Sequence, residues 1–333
     1  SIAGVQTILN ELEGRPEHFD PQLAEQSQTD CIVTHLGDII GIAASASSSK
    51  FSGVRLKGLH LMKDILQLFG AADDPYMPGE KLLAQYNAQI GASLRAVFPT
   101  EDTSGRGVSP VALVEVIALI RQYLLLGIVP AADAVALRRL AGLVIDPSEA
   151  DDVLAQLTGA RNFDDVAECR LVVSLHGAVA QLRSAYAAEA QHPITVRIRK
   201  SLPSSLAAWM NVLRDYMCVA MYVDKSRSGC FFKQGAPRDQ LVPVYEEHVS
   251  SVLFAACSEV GTDVWKRLPS PDEDTIFLVG MGVAFLRGRI CVGRATPQDV
   301  SKLVEVLGNV MGSGAIEQLG LPMELLSELV AVV

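Results

Sequence analysis

The sequence predicts an all-α protein in which antiparallel helix pairs stack side by side as an α-solenoid. Apolar residues recur at three- and four-residue spacings in one segment after another, and no segment shows the convincing alternation of a half-buried strand. Glycine and proline interrupt these segments at intervals, which limits each helix to a moderate length. Only 6% of the residues are aromatic while 49% are hydrophobic, and this mixture suits many short helices better than a β-sandwich.

The helix predicted from Val54 to Phe69 is the one around which the others are arranged. Its apolar side chains lay a broad stripe along the helix that a single helix cannot bury. They are Val54, Leu56, Leu59, Leu61, Met62, Ile65, Leu66, Leu68 and Phe69. Gly58 lies within the stripe, so a neighbouring helix can approach closely there. We expect this helix to be buried architecture that sets how the pairs stack.

Caps and helix breakers delimit the helices around it. The predicted helices of the first half are Ile2–Leu12, Cys31–Ala46, Leu82–Phe98, Pro110–Leu126 and Ala132–Ile145. A loop that contains Pro16 and Pro21 is predicted after the first helix, and Asp30 is expected to cap the helix that follows the loop. The residues Asp73–Gly79 are a strong turn signal. Pro110 suits a first helical turn, and Gly127 ends the helix that it opens.

The second half continues the same rhythm. Its predicted helices are Asp165–Ala190, one opened by Pro203 and Ser204, Leu241–Val260, Asp274–Arg287, Pro297–Met311 and Pro322–Val332. Two helices in about 40 to 50 residues is the period of HEAT and armadillo arrays. Within one continuous solenoid we distinguish N-terminal helical repeats (1–145), an acidic connector with a long helix and the start of a basic linker (146–203), and C-terminal helical repeats (204–333).

Composition excludes several classes of protein. A net charge of −10 argues against general affinity for nucleic acid. The six cysteines are scattered without C-x-x-C spacing, so we expect reduced core residues in a reducing compartment. The N-terminus lacks the features of a signal peptide, and no apolar run reaches the ~20 residues that span a bilayer. The expectation is a soluble, cytoplasmic protein.

Charge reverses sharply in the middle of the chain. The segment 146–168 is acidic with Arg161 as its single base, whereas the segment 192–238 is strongly basic. Its candidate partner-binding residues are Arg197, Arg199 and Lys200, on a predicted linker, and Phe231, Phe232 and Lys233, in a predicted loop. Exposed aromatic and basic residues together can engage a partner or a membrane surface. The alternative is that the bases neutralise the acidic segment and that the two phenylalanines anchor the loop.

No catalytic, cofactor-binding or metal-ligating residue is assigned. The Gly280-Met281-Gly282 segment breaks the G-x-G-x-x-G pattern at Phe285 and follows no strand, so helix packing is the simpler interpretation. None of the six histidines has metal-ligand spacing with another. No serine or cysteine lies in the sequence context of a nucleophile.

Several segments resemble the HEAT repeat-containing protein 5 family, whose fungal members are known as the large accessory protein of a Golgi clathrin adaptor. VRLKGLHLMKDILQLFG followed by LLAQYNAQIGASLRAVF, within 54–98, is the best match, and the tryptophan helix WMNVLRDY (209–216) is similar to another. Val-Arg early in the first segment and Asp later is typical of the second helix of a HEAT repeat. The resemblance extends in outline over 30–310 and implies one portion of a very long solenoid.

The resemblance implies a non-enzymatic scaffold in adaptor-dependent vesicle traffic between the trans-Golgi network and endosomes. Its partners would be trafficking adaptors or their accessory subunits, with no cofactor, no nucleic acid and at most peripheral association with Golgi or endosomal membranes. A homodimer is compatible with the sequence. Two alternatives stay open: a HEAT-type nuclear transport receptor or phosphatase scaffold, and an α-helical enzyme with a dispersed site.

Overall fold

The computed structural model describes residues 1–27, 29–98, 109–130, 133–149, 153–158, 164–220, 231, 237–291, 301 and 308. Thirteen α-helices lie within these residues. In chain order they are α1 (Ile2–Leu12), α2 (Pro21–Ser27), α3 (Leu36–Ser47), α4 (Ser52–Phe69), α5 (Asn87–Arg95), α6 (Pro110–Leu125), α7 (Ala134–Ser148), α8 (Val153–Thr158), α9 (Asp165–Ala185), α10 (Pro193–Ala220), α11 (Arg238–Glu246), α12 (Val249–Ser258) and α13 (Pro271–Cys291). Short 3-10 turns precede α3 and α5.

The longer helices form two rows that pack against each other. In one row α3 contacts α5, α5 contacts α7, and α7 contacts α10. In the other row α4 contacts α6, α6 contacts α9, and α9 contacts α12. Contacts between α3 and α4, α5 and α6, and α7 and α9 join the rows, so successive pairs stack along one direction. This arrangement confirms the predicted all-α class, and the described residues contain no strand beyond one isolated bridge between Asp73 and Lys81.

Helix α4 is the buried element that its sequence predicts. Seven of its residues are buried between α3, α6 and α1. A Cβ on Gly58 would lie 2.7 Å from the carbonyl carbon of Ala46 in α3, so only glycine permits this approach of the two backbones. Of the predicted stripe, Leu56 and Leu68 are half-buried, and Val54, in the first turn of α4, is 41% exposed.

Four predicted boundaries in the first half were wrong or incomplete. The loop at Pro16–Pro21 leads into helix α2, because Pro21 suits a first helical turn and the Asp20 carboxylate accepts from the Gln22 amide at 2.8 Å. Asp30 does not cap a helix; its carboxylate instead contacts His35 at 3.0 Å. A 3-10 turn occupies the first residues of the predicted Cys31–Ala46 helix, and another those of Leu82–Phe98.

Two predictions in the second half also require correction. The predicted helix Leu241–Val260 is two helices, α11 and α12, with a break at Glu247 and His248, where the His248 ring packs on the bare backbone of Gly177 in α9. Pro203 does not open a helix but lies inside α10, where its missing N–H removes one backbone hydrogen bond of the helix. The helices predicted at Pro297–Met311 and Pro322–Val332 lie outside the described residues, apart from positions 301 and 308.

One apolar core runs through both rows from α1 to α13. Trp209 is fully buried in α10, as its spacing from Tyr216 predicts, and its indole N–H donates to the carbonyl of His176 in α9 at 3.1 Å. The cysteines Cys31, Cys169, Cys218 and Cys257 are all buried. Among the described helices, none combines the length and the apolar character needed to cross a bilayer.

Candidate functional site

The predicted basic residues at 197–200 lie on a helix and not on a linker. Helix α10 begins at Pro193, ten residues before the predicted start, because the His192 ring accepts from the Ile194 amide at 3.3 Å and its carbonyl accepts from the Val196 amide at 3.0 Å. The ring of His192 is itself held by stacking on Tyr186, with centroids 4.2 Å apart. Arg197, Arg199 and Lys200 therefore have fixed directions around α10.

Arg197 forms an ion pair with Asp146 of α7. Its Nε donates to Asp146 Oδ1 at 2.7 Å, and its terminal amino group donates to the second carboxylate oxygen. Gly142 lies directly beneath the pair, since a Cβ there would stand 3.1 Å from the Asp146 carboxylate and 3.3 Å from the Arg197 guanidinium carbon. The missing side chain lets the guanidinium lie flat along α7. This pairing is the neutralising contact that the alternative interpretation of the basic segment predicts.

The pair borders a groove of about 390 Å³ between α7 and α10, which we call the arginine groove. Its described lining residues are Val135, Arg138, Arg139, Gly142, Leu143, Asp146 and Arg197. Arg138 and Arg139 are exposed, and Arg138 bends back so that its Nε donates to the Ala134 carbonyl at 2.9 Å. Neither has a carboxylate partner among the residues that the structure describes. Val135 adds an apolar wall and is 52% exposed.

Sequence reasoning missed Arg138 and Arg139. The signal was the four-residue spacing of Arg138, Gly142 and Asp146, which places these residues on one face of α7. Lys200 lies three residues beyond Arg197 and thus on the same side of α10, near the groove. Arg199 points away from it, because its guanidinium donates to the Ala190 carbonyl at 3.3 Å. The structure thus separates Arg197 and Arg199, whose guanidinium groups have different partners.

Phe231 packs against the helices as an anchor. Its ring stacks on His176 with centroids 5.6 Å apart, and its amide donates to the Asp215 carboxylate at 2.7 Å. Phe231 is consequently half-buried, in agreement with the anchoring alternative. Phe232 and Lys233, the two other candidates from the predicted loop, lie outside the described residues.

Asp215 is fully buried and connects three elements. Besides the Phe231 amide, its carboxylate accepts from the Tyr245 hydroxyl of α11 at 2.9 Å. The Cys169 thiol of α9 lies 3.2 Å from the same hydroxyl. Burial and the charge of Asp215 raise the pKa of Tyr245, and burial raises the pKa of Cys169 to about 11. Both groups stay protonated at neutral pH, so this cluster acts as a structural clamp.

A second groove, of about 290 Å³, lies between α4, α6, α9 and α11. Its charged lining residues are Lys63, Glu115, Arg121, Arg170 and Glu247. Burial lowers the pKa of Arg121, and the nearby Glu247 opposes that shift. Bases and acids both line this groove, so it lacks the predominantly basic lining of the arginine groove.

Two buried histidines have pKa values that burial shifts. Burial lowers the pKa of His176 and of His248 to about 4, so both are neutral at physiological pH. Over the described part of the chain, histidine, cysteine and acidic side chains do not cluster in groups that could hold a metal ion.

Comparison with known proteins identifies relatives of this chain. The family model of the Laa1/Sip1/HEATR5 HEAT repeat region matches residues 31–218. Protein SWEETIE of Arabidopsis thaliana is 27% identical over 255 residues, which cover 73% of this chain and 11% of that protein. The AP-1 accessory protein LAA1 of Saccharomyces cerevisiae is 30% identical over 111 residues, which cover 33% of this chain and 5% of that protein.

No solved structure matches the chain. The chain spans about a tenth or less of the length of the two curated relatives. The family match runs from just before α3 into the last turn of α10 and covers more than half of the sequence. This chain therefore belongs to the Laa1/Sip1/HEATR5 HEAT-repeat family.

Proposed function

We propose that this chain is a non-enzymatic HEAT-repeat scaffold that docks protein partners in AP-1-dependent vesicle traffic between the trans-Golgi network and endosomes. The family match over residues 31–218 carries the proposal, because it covers the continuous helical array from α3 to α10. Similarity to a yeast AP-1 accessory protein supports adaptors or their accessory subunits as the partners. The chain would act at the cytoplasmic face of Golgi or endosomal membranes through these proteins.

The shape of the molecule suits docking at several weak sites. A stack of helix pairs presents rows of side chains and the grooves between them over a long surface. Extended peptides or helices can occupy such grooves, and several modest contacts combine into useful affinity. Arg197, Arg199, Lys200 and Phe231 stay candidate partner residues in this proposal, together with Phe232 and Lys233. Of the four described ones, Arg199 and Lys200 are the most exposed.

Affinity capture from cell extract tests the proposal. The immobilised 333-residue chain should recover AP-1 adaptor subunits or their accessory proteins, identified by mass spectrometry. A variant with Arg199→Glu and Lys200→Glu should recover less if these residues contact the partner, with unchanged helicity by circular dichroism. Recovery of nuclear-transport or phosphatase components without adaptor components would overturn the proposal. So would a catalytic turnover that a single polar substitution abolishes.

A further inference from the structure

We propose that the arginine groove binds a carboxylate-rich peptide segment of a partner protein, and that Asp146 is an internal competitor for the same arginines. This inference rests on the proposed docking function and specifies the chemistry of one docking site. It is carried by the placement of Arg138, Arg139 and Arg197 around one groove, beside the single acid among its described lining residues.

The first step of the inference is local charge. The whole chain carries −10, yet three guanidinium groups converge on a space of about 390 Å³, and Lys200 lies one turn further along α10. Two of those guanidinium groups, on Arg138 and Arg139, have no carboxylate partner in the described part of the chain. Positive potential that is confined to a groove attracts acidic segments and steers their approach.

The second step is geometry. Arginine presents a planar fork of N–H donors that matches a carboxylate with two parallel hydrogen bonds. Arg197 already binds the Asp146 carboxylate in this way. The groove therefore displays, within the molecule, the interaction that it would make with a glutamate or aspartate of a partner. Because Gly142 has no side chain, a guanidinium can lie flat against the surface of α7 at this position.

The third step distinguishes a peptide ligand from a membrane surface as the occupant of the groove. The exposed Val135 and the partly buried Leu143 line the groove between the arginines, which suits an apolar side chain spaced between acidic ones. Adhesion to anionic lipid relies instead on clusters of about four to eight lysines and arginines. The groove has three arginines, and the net negative charge of the chain opposes such adhesion. The observations thus favour an acidic peptide that contains apolar residues.

Direct binding to a synthetic probe tests the inference. The probe is a fluorescein-labelled peptide of glutamate with interspersed leucine, titrated against the 333-residue chain by fluorescence anisotropy. We expect binding that weakens as salt increases, and the same peptide with every glutamate replaced by glutamine should not bind. Arg138→Glu with Arg139→Glu should reduce affinity about tenfold or more, since like charges would then face the probe.

Matched variants make the result specific to the groove. Lys50→Glu with Lys57→Glu changes the net charge equally at exposed positions in α4 and just before it, and should leave affinity within about twofold. Asp146→Asn should increase affinity about twofold to fivefold, because Arg197 loses its internal partner. Circular dichroism and thermal melting verify that each variant is folded.

Other outcomes overturn the inference. Equal binding of the glutamine peptide, or an equal loss in the control with Lys50→Glu and Lys57→Glu, would show that the arginine groove does not recognise carboxylates. Binding to phosphatidylserine vesicles that requires Arg138 and Arg139, without peptide binding, would assign the groove to a membrane. If the peptide does not bind but adaptor capture persists, only this inference fails. If the peptide binds and adaptors are not captured, the proposed function fails.

Discussion

The backbone of Gly58 in α4 lies so close to Ala46 in α3 that a Cβ on Gly58 would stand 2.7 Å from the Ala46 carbonyl carbon. The obstacle is backbone, which cannot rotate away as a side chain can. We predict that Gly58→Ala lowers the free energy of unfolding by about 1 to 3 kcal/mol, because overpacking outweighs the better helix propensity of alanine. Urea unfolding followed by circular dichroism measures the change.

Gly53 in the first turn of the same helix is the matched control. A Cβ there would meet no atom within 4 Å, so Gly53→Ala should be neutral or stabilising by up to about 1 kcal/mol. Equal effects of the two substitutions would contradict the close approach of α3 and α4.

The ion pair between Arg197 and Asp146 should contribute modestly to stability. Their side chains are 31% and 46% exposed, so water and salt screen the attraction. A double-mutant cycle with Arg197→Ala and Asp146→Ala should give a coupling energy of about 0.5 to 1 kcal/mol that shrinks at high salt. Lys200→Ala should change stability by less than about 0.5 kcal/mol, since the structure gives Lys200 no partner among the described residues. A coupling energy of zero at low salt would contradict a stabilising contribution from the pair.

Stability should fall as the pH decreases from about 6.5 towards 4. Burial lowers the folded-state pKa of His176 to about 4, whereas the unfolded chain titrates near 6.5. The unfolded state therefore binds more protons in this window, and acid favours unfolding. His176 alone should cost about 2 kcal/mol between pH 7 and pH 5.

The measurement is urea unfolding of the unsubstituted chain and of His176→Leu at both pH values. The variant should lose about 2 kcal/mol less over that interval than the unsubstituted chain. An unchanged pH dependence would show that His176 is already accessible to protons in the folded state.

Asp215 should be among the most sensitive polar residues of the fold. Asp215→Ala leaves the Tyr245 hydroxyl and the Phe231 amide without their buried acceptor, so we expect a loss of about 3 kcal/mol. Asp263→Ala is the control, because that side chain is 90% exposed, and it should change stability by less than about 0.5 kcal/mol. Similar melting temperatures for the two variants would contradict the clamp.

Much of the fold could be predicted because helical periodicity is a local property of the sequence. The bounds of α1 agree at both ends, and those of α6 agree within one residue, since apolar spacing and flanking breakers determine both helices. The buried stripe of α4 and the need for a glycine at position 58 also follow from spacing alone. Local rules failed at His248, where one predicted helix is two in the structure and the ring packs on Gly177 of another helix, a contact that local spacing does not reveal.

The sequence by itself determined the all-α class, the stacking of helix pairs, the family resemblance and the basic character of residues 192–238. Only the tertiary structure decided that Arg197 meets Asp146 and lines a groove with Arg138 and Arg139, and that Asp215 joins Phe231 to Tyr245. The physical reason is range: helix formation depends on neighbours three and four residues apart, whereas these contacts join residues on different helices and loops that approach one another only when the pairs stack.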